Sequence, residues 1–331
     1  MNKRVLTADG LLLITAAVWG FGFVAQRSGM QYVGPFTFNA LRFPLAVISL
    51  LPLVLWRNSK GAFGGRNALV SCLLAGTCLF VACSLQQFGI MMTTAGNAGF
   101  ITGLYVIFTP IFGIFLGRRT GKATWFGALL TLLGLYFLST AGPLNKINIG
   151  DFIVAFSAVF WAFHVLIIDR LVQKIEPLLL SAGQFAFAAL YSLLAAFTVE
   201  PLLSGWLALT GKEIIPAEIF ATGLFTWKSL PAIIGGLESG VVPFSLVSSA
   251  MVPILYGGFA SVGIGYTLQV VAQRNAPPAH ATIILCLEGC FAVIGGVIIL
   301  NEGIGGRTII GFALILTGMF ISQWELIRAK K

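Results

Sequence analysis

Charged residues are scarce in this sequence: Asp, Glu, Lys and Arg make up 9% of its 331 residues. An ordinary soluble domain has about 25% charged residues. Hydrophobic residues reach 58%, and 39 glycines come in addition, so little remains for a surface that faces water. The scarcity of charge excludes typical cytosolic enzymes, secreted disulfide scaffolds and disordered chains, and it indicates a multi-span membrane protein.

Several functional motifs are missing as well. The sequence has no Gly-x-x-x-x-Gly-Lys-Ser/Thr loop, which disfavours transport driven by ATP. Cys286 and Cys290 are spaced like a soft-metal pair on one helix face, but we interpret all five cysteines as buried small apolar residues. No His, Cys and carboxylate cluster has metal-ligand spacing. We therefore expect no cofactor, no metal and no enzymatic activity.

The apolar runs predict ten transmembrane helices. A helix needs about 20 apolar residues to cross the bilayer, and these runs are apolar on every face, unlike the alternating strands of a barrel. Charged breaks such as 57–60 and 118–122 separate them. The spans are predicted near 11–30, 35–56, 68–92, 96–117, 123–140, 151–168, 178–199, 250–272, 280–300 and 308–326.

Basic residues predict the orientation of these spans. Most Lys and Arg residues fall in segments on the same side as the N-terminus, so the positive-inside rule places both termini in the cytoplasm of a multi-pass protein of the cell (inner) membrane. Lys3 and Arg4 precede an apolar run without a cleavage site before Trp19, which indicates a retained first span. The net charge of +9 reflects this bias, and we expect no nucleic-acid partner because no basic stripe or aromatic platform is present.

An internal repeat divides the chain into two halves. At an offset of 142, Trp19 aligns with Trp161 and Pro35 with Pro177. Five spans in each half is an odd number, so the second half must be inserted upside down, as in many transporters. We predict repeats at 1–142 and 143–331. At an offset of 184, two further glycine pairs align: Gly127 with Gly311 and Gly134 with Gly318.

The segment 200–249 breaks this symmetry. Prolines at 201, 216, 231 and 243 are expected to prevent a spanning helix. We predict an external insert with short interfacial helices, anchored by Trp206 and Trp227. The alternative is an eleventh span, which would place the C-terminus outside.

Residues 287–292, Leu-Glu-Gly-Cys-Phe-Ala, resemble the ninth-span signature Leu-Glu-Pro-Val-Phe-Ala of the drug/metabolite transporter superfamily, EamA type. Residues 17–20 (Ala-Val-Trp-Gly) and 41–43 (Leu-Arg-Phe) are also similar to that family, although Gly289 stands in place of the usual Pro. The resemblance implies an all-α polytopic fold with ten transmembrane helices in two inverted five-helix repeats. It also implies a carrier of amino acids, other small metabolites or drugs that works without ATP, often outward.

Two charges lie well inside the predicted spans. Arg42 falls in the outer third of the second span and Glu288 near the middle of the ninth. A charge at this depth costs about 2.5–3.5 kcal/mol on insertion scales. We expect the two residues to pair or to line the same aqueous cavity. The alternative is a purely structural ion pair between two helices.

Uncharged polar residues and tryptophans suggest the lining of a transport path. Trp19 and Gln26 share a face of the first span, and Trp161 and His164 occupy the equivalent place in the sixth. Amides and phenols can coordinate a zwitterion, and aromatic rings offer cation–π surface. The alternative is hydrogen bonding between helices, worth about 0.6 kcal/mol on average. Further candidates are Asn39, Gln86, Gln87, Asn97, Tyr105, Gln184, Tyr266 and Gln269.

The two histidines receive separate interpretations. His164 could titrate near neutral pH and couple protons, although a buried histidine that is only hydrogen bonded is the simpler alternative. His280 follows Pro277 and Pro278, and we expect it to cap the ninth span.

We therefore predict a secondary transporter that moves a small metabolite, an amino acid or similar, by alternating access and mainly outward. Its partners are a small-molecule substrate and the lipid bilayer, and it is a monomer or a weak homodimer. An uptake carrier or a drug exporter of the same fold is the first alternative. A membrane-embedded enzyme acting on a lipid-linked substrate is another, and a channel is less consistent because no ring of charges repeats among the spans.

Overall fold

The computed structural model describes residues 3–58, 65–93, 95–139, 149–210, 244–300 and 305–328, which form helices joined by turns. Nine helical stretches among these residues are long and apolar enough to cross a membrane, and Lys122–Phe137 is a shorter apolar helix. Their outward faces carry exposed apolar side chains such as Phe115 and Val252, which suit lipid. The predicted all-α polytopic fold class is confirmed.

The helices follow the predicted order of ten spans. Pro35 and Pro177 begin the helices of the second and seventh spans, a position that suits proline because the first N–H has no intrahelical partner. In the first half lie α1 Lys3–Gly29, α2 Pro35–Asn58, α3 Gly65–Met92, α4 Ala95–Thr102, α5 Tyr105–Phe115 and α6 Lys122–Ser139. In the second half lie α7 Ile149–Leu171, α8 Pro177–Thr210, α9 Phe244–Leu255, the π-helical segment Tyr256–Tyr266, α10 Thr267–Gln273, α11 Pro278–Leu285, α12 Glu288–Leu300 and α13 Gly306–Arg328.

Two spans are broken, which the sequence analysis did not predict. The fourth span is interrupted between α4 and α5, and the ninth between α11 and α12. The two breaks face each other, since the Cys286 Sγ lies 3.8 Å from the Gly103 carbonyl oxygen. Non-helical backbone at membrane depth is tolerated where it is buried in protein or lines a cavity. The facing breaks therefore indicate that a cavity or a site lies at the centre of the bundle.

Packing between the helices is reciprocal, as expected of two equivalent halves. α6 packs along α13 and α2 along α8, while α3 packs against α7 and α1 against the π-helical segment. The α6–α13 contact is formed by the glycines that align at the offset of 184 in the sequence. A Cβ atom at Gly127 would lie 2.6 Å from the Gly318 carbonyl oxygen, and one at Gly134 would lie 2.7 Å from that of Gly311. Only glycine permits this approach.

The α8 helix extends past the predicted end of the seventh span at 199. It continues through Glu200 and Pro201 to Thr210, so Pro201 does not end it. A proline within a helix removes one backbone hydrogen bond, and a long helix can tolerate this loss. Residues 211–243, including Trp227, lie outside the described residues, as does the side chain of Trp206.

Glu200 has a structural role that the sequence did not suggest. Its carboxylate accepts hydrogen bonds from the Phe36 and Thr37 backbone N–H groups at 2.9 Å each, and from the Thr37 hydroxyl at 2.7 Å. The side chain is 2% exposed. Glu200 therefore caps the start of α2 from the end of α8, where free N–H groups and the helix dipole favour a negative charge.

All five cysteines are buried and free, as predicted. Cys72, Cys78 and Cys83 lie on α3, and Cys286 and Cys290 lie around the break in the ninth span. They pack as small apolar side chains.

Candidate functional site

A central cavity lies where α1, α3 and α7 meet the π-helical segment and the two broken spans. It contains about 450 Å³ not occupied by atoms, of which about 30 Å³ admits the centre of a water molecule. That space holds about two waters, so a larger compound requires the surrounding helices to move apart. The lining residues are Trp19, Phe23, Gln26, Gln86, Thr102, Tyr105, Trp161, Val165, Ser261, Tyr266, Gln269, Leu285 and Glu288.

Three aromatic rings form one wall of the central cavity. The Tyr266 ring centroid lies 4.5 Å from that of Trp19 and 5.9 Å from that of Trp161, and the Trp161 and Tyr266 rings are nearly parallel. The Trp19 indole N–H donates to the Ser261 carbonyl oxygen at 3.0 Å, which fixes this ring against the π-helical segment. The repeat-related pair Trp19 and Trp161 thus lines one cavity, and both rings pack against Tyr266.

The two broken spans supply the charge of the central cavity. Tyr105 begins α5 and Glu288 begins α12, and the Tyr105 hydroxyl donates to the Glu288 carboxylate over 3.4 Å. Glu288 is 5% exposed. A carboxylate in the first turn of a helix is stabilised by the positive end of the helix dipole. The break therefore creates the position in which a negative charge can be held at this depth.

Glutamine side chains form the polar part of the lining. The Gln273 amide N–H donates to the Val165 carbonyl oxygen at 2.9 Å, and the Gln269 amide N–H donates to Gln273 Oε1 at 2.9 Å. This chain fixes the orientation of both amides. Gln269 Oε1 and Gln26 Oε1 are buried and have no hydrogen-bond partner among the described residues. These two amide oxygens can therefore accept hydrogen bonds from a compound bound in the cavity.

Several predicted site residues lie behind this lining. His164 Nε2 lies 2.8 Å from Gln184 Oε1, and its ring packs edge-on against Trp161 and Tyr266. Asn39 and Gln87 are buried, do not line the cavity and have no side-chain partner among the described residues. The side chain of Asn97, on α4, lies outside the described residues.

Arg42 departs from both expectations made for it. Among the described residues it forms no ion pair with Glu288, and it does not line the central cavity. It is 1% exposed, with its guanidinium 5.4 Å and 5.3 Å from the ring centroids of Phe38 and Phe43. It lies beside Cys83, whose Sγ is 3.7 Å from the Tyr266 hydroxyl. Arg42 therefore sits behind the aromatic wall.

Five residues that line the central cavity were not among the predicted candidates. Phe23 was detectable in principle, because it follows Trp19 by four positions and so shares its helix face. The other four carry no functional pattern and reach the cavity only through the broken spans, α7 and the π-helical segment: Thr102, Val165, Ser261 and Leu285.

A second cavity lies near one end of the bundle, where α5 ends and α11 begins. It contains about 740 Å³ not occupied by atoms and is more open than the central cavity. Along α5 the lining passes from Tyr105 in the central cavity to Thr109 and Gly113 in the second, and along α11 it passes from Leu285 to His280. The two cavities therefore lie in series along the bundle.

An ion pair between Arg118 and Asp169 lies at the rim of the second cavity. It joins the α5–α6 turn to the end of α7. Partial burial and, to a smaller degree, the charge of Arg170 lower the pKa of Arg118 from its usual value. Arginine remains charged at neutral pH even so, and the ion pair persists there.

His280 corrects another expectation, since it does more than cap the ninth span. Its Nε2 lies 3.0 Å from Asp9 Oδ1 and its Nδ1 lies 3.0 Å from the Ser322 hydroxyl. The Gln323 amide N–H donates to Asp9 Oδ2 at 2.9 Å. This buried polar cluster ties α1, α11 and α13 together beside the second cavity.

Comparisons with known proteins agree with this architecture. The EamA-like transporter family matches residues 6–140 and 148–324. An uncharacterized transporter of Archaeoglobus fulgidus is 26% identical over 321 residues, which cover 96% of this chain and 86% of the relative. The uncharacterized inner membrane transporter YedA of Escherichia coli is 25% identical over 336 residues, 99% of this chain and 93% of the relative.

More distant similarity extends to a mammal and to a solved structure. Solute carrier family 35 member F6 of Mus musculus is 26% identical over 238 residues, 61% of this chain and 63% of the relative. A crystal structure superimposes with a TM-score of 0.67 at 18% identity, over 97% of this chain and 99% of that one. At this identity the superposition shows the fold alone.

Proposed function

We propose that this chain, which belongs to the EamA-like transporter family, is an inner-membrane secondary transporter that exports a small metabolite, an amino acid or a similar compound, by alternating access. It is a DMT-type membrane transporter. One observation carries the rest of the proposal: residues of both halves line a polar and aromatic cavity at the breaks in the fourth and ninth spans. Substrate sites of repeat transporters lie near the midplane, at discontinuous helices.

The two cavities in series support a path through the bundle. In the proposed orientation the second cavity opens to the cytoplasm, because it lies beside the α5–α6 turn with its basic residues. In this proposal the side chains between the two cavities form a layer that separates the cytoplasmic opening from the central cavity. A substrate enters from the second cavity when this layer opens, and it leaves on the opposite side when the halves rock about the central cavity.

Polar contacts at the two ends of the bundle are the proposed closures. The Arg118–Asp169 pair and the His280–Asp9 contact hold the end that carries the second cavity. At the other end, Glu200 holds the start of α2. Each closure joins different helices, so each can break and re-form as the halves move.

Metabolite measurements in cells test the proposed export. Cells with and without the gene are compared by mass spectrometry, and export predicts that expression lowers the internal level of the substrate and raises it in the medium. Trp161→Ala should abolish the difference, because it removes a cavity wall. Trp56→Ala is the matched control, since that side chain is 55% exposed and does not line the cavity. Unchanged metabolite levels at normal membrane abundance would contradict the proposal.

Reporter fusions test the proposed orientation. Fusions after Lys60, Lys122 and Lys331 should report the cytoplasm, and a fusion within 205–240 should report the outside. A fusion after Lys331 that reports the outside would overturn the ten-span topology with both termini in the cytoplasm.

A further inference from the structure

We propose that the transported compound is an organic amine of net positive charge, and that its ammonium group binds at Glu288 against the aromatic wall of the central cavity. This inference rests on the proposed function, because it specifies the substrate class of the same site. It narrows that class from amino acids and similar compounds to amines without a compensating carboxylate.

The charge of the lining is the first argument. Of the described residues that line the central cavity, Glu288 is the only carboxylic acid, and no Lys, Arg or His lines the space. Arg42 sits behind Tyr266 and does not line the cavity. A substrate carboxylate would enter this space without a cationic partner, and burying an unpaired charge is unfavourable. The electrostatics thus favour an ammonium group over a zwitterion.

The aromatic wall is the second argument. The Trp19 and Tyr266 ring centroids are 4.5 Å apart, and Trp161 stacks on Tyr266 at 5.9 Å. A cation within about 6 Å of such a ring is attracted by its quadrupole, most strongly by tryptophan, and recognition of ammonium ligands commonly uses aromatic walls of this kind. The wall also accommodates an apolar substrate body.

Unpaired acceptors are the third argument, and they are independent of the charge. Among the described residues Gln269 Oε1 has no hydrogen-bond partner, and its orientation is fixed because its own amide N–H donates to Gln273. Gln26 Oε1 is a second acceptor on the lining without a partner in that part of the chain. An ammonium group offers N–H donors and no acceptor. The Trp161 Nε1–H donor, which also has no partner within the described ranges, suits one neutral oxygen of the substrate.

A matched series of compounds tests the substrate class. The full chain in lipid nanodiscs is titrated at pH 7 with 2-phenylethylamine, 2-phenylethanol, phenylalanine and 3-phenylpropionate, and tryptophan fluorescence and thermal stability report binding. These probes share one apolar body and differ in charge. The amine should bind at least about tenfold more tightly than the alcohol, the zwitterion and the anion, since cation–π attraction and a charge-assisted hydrogen bond act together.

Variants assign the charge to Glu288. Glu288→Gln should weaken binding of the amine about tenfold and leave the alcohol unchanged. Asp151→Asn is the matched control, because that buried carboxylate accepts from the Thr93 hydroxyl and lies outside the cavity; it should leave both affinities as they are. If Glu288→Gln is poorly folded, the selectivity of the unmodified chain across the series decides the question.

The outcomes separate the substrate class from the transport function. Phenylalanine binding as tightly as the amine, an amine affinity unchanged in Glu288→Gln, or no binding by any member of the series would overturn the amine assignment. Flux of phenylalanine into vesicles without binding of the amine would overturn that assignment and leave the carrier function intact. Binding of the amine without any flux of it would leave the amine assignment intact and overturn the carrier function.

Discussion

Tyr105 and Glu288 are the first residues of α5 and α12, and a hydrogen bond of 3.4 Å joins the Tyr105 hydroxyl to the Glu288 carboxylate. A side chain at the start of one broken half-helix therefore reaches the carboxylate at the start of the other. The carboxylate lies in the first turn of α12, where the positive end of that helix dipole favours a negative charge.

Tyr105→Phe removes the hydroxyl donor and keeps the ring. We expect the free energy of unfolding to fall by about 1 kcal/mol, because the buried carboxylate loses a protein donor. Thermal unfolding of the purified variant in detergent measures this change. An unfolding temperature equal to that of the unmodified protein would show that the long hydrogen bond contributes nothing.

Arg42→Gln and Glu288→Gln test whether the two buried charges depend on each other. Breaking a buried ion pair at one partner typically costs about 3–5 kcal/mol, and removing the second partner then restores stability. Because the structure shows no such pair in the part of the chain it describes, we expect the double variant to be no more stable than the less stable single. Thermal unfolding of the singles and the double gives the coupling energy. Recovery of stability in the double variant would contradict the structure.

Glu200→Ala should lower stability by about 1–2 kcal/mol, since three hydrogen bonds at the start of α2 are lost. Glu200→Gln keeps one acceptor oxygen and should lose less. Thermal unfolding ranks the two variants. If both lose the same amount, the charge of the carboxylate and not its acceptor geometry stabilises the helix start.

Gly127→Val should separate α6 from α13, because the added side chain would meet the Gly318 backbone. Overpacking of this kind typically costs about 1–3 kcal/mol. Gly10→Ala on α1 is the control: a Cβ there meets nothing within 4 Å, and alanine favours a helix over glycine. Membrane abundance and unfolding temperature should fall for the first variant only. Equal membrane abundance and unfolding temperature for the two variants would contradict a close contact between α6 and α13 at Gly127.

The spans were predictable because length and apolarity decide them. Pro35 and Pro177 mark helix starts for a local reason, and the repeat offset located Trp19 and Trp161 on one cavity wall before any packing was known. The end of α8 was not predictable from Pro201. Whether a helix survives a proline depends on the surrounding helices, and these are not visible locally.

The breaks in the fourth and ninth spans had little local signal. No proline stands at 103–104 or 286–287, and Gly103 at the first break is one of 39 glycines, so it does not single out this position. Polar side chains posed a related difficulty. Helical spacing places a glutamine on a protein-facing side, but it does not distinguish Gln269, which lines the cavity, from Gln184, which bonds His164 behind it.

The contact between α6 and α13 has a consequence for biosynthesis. Ribosomes extend a chain from its N-terminus, so α6 enters the bilayer long before α13 is made. Until Gly311 and Gly318 emerge, the small-residue face at Gly127 and Gly134 has only lipid beside it. Packing of α13 against α6 is therefore a late step in the maturation of the protein. A nascent chain that stops before α13 would expose the small-residue face of α6 to the proteases that degrade incomplete membrane proteins.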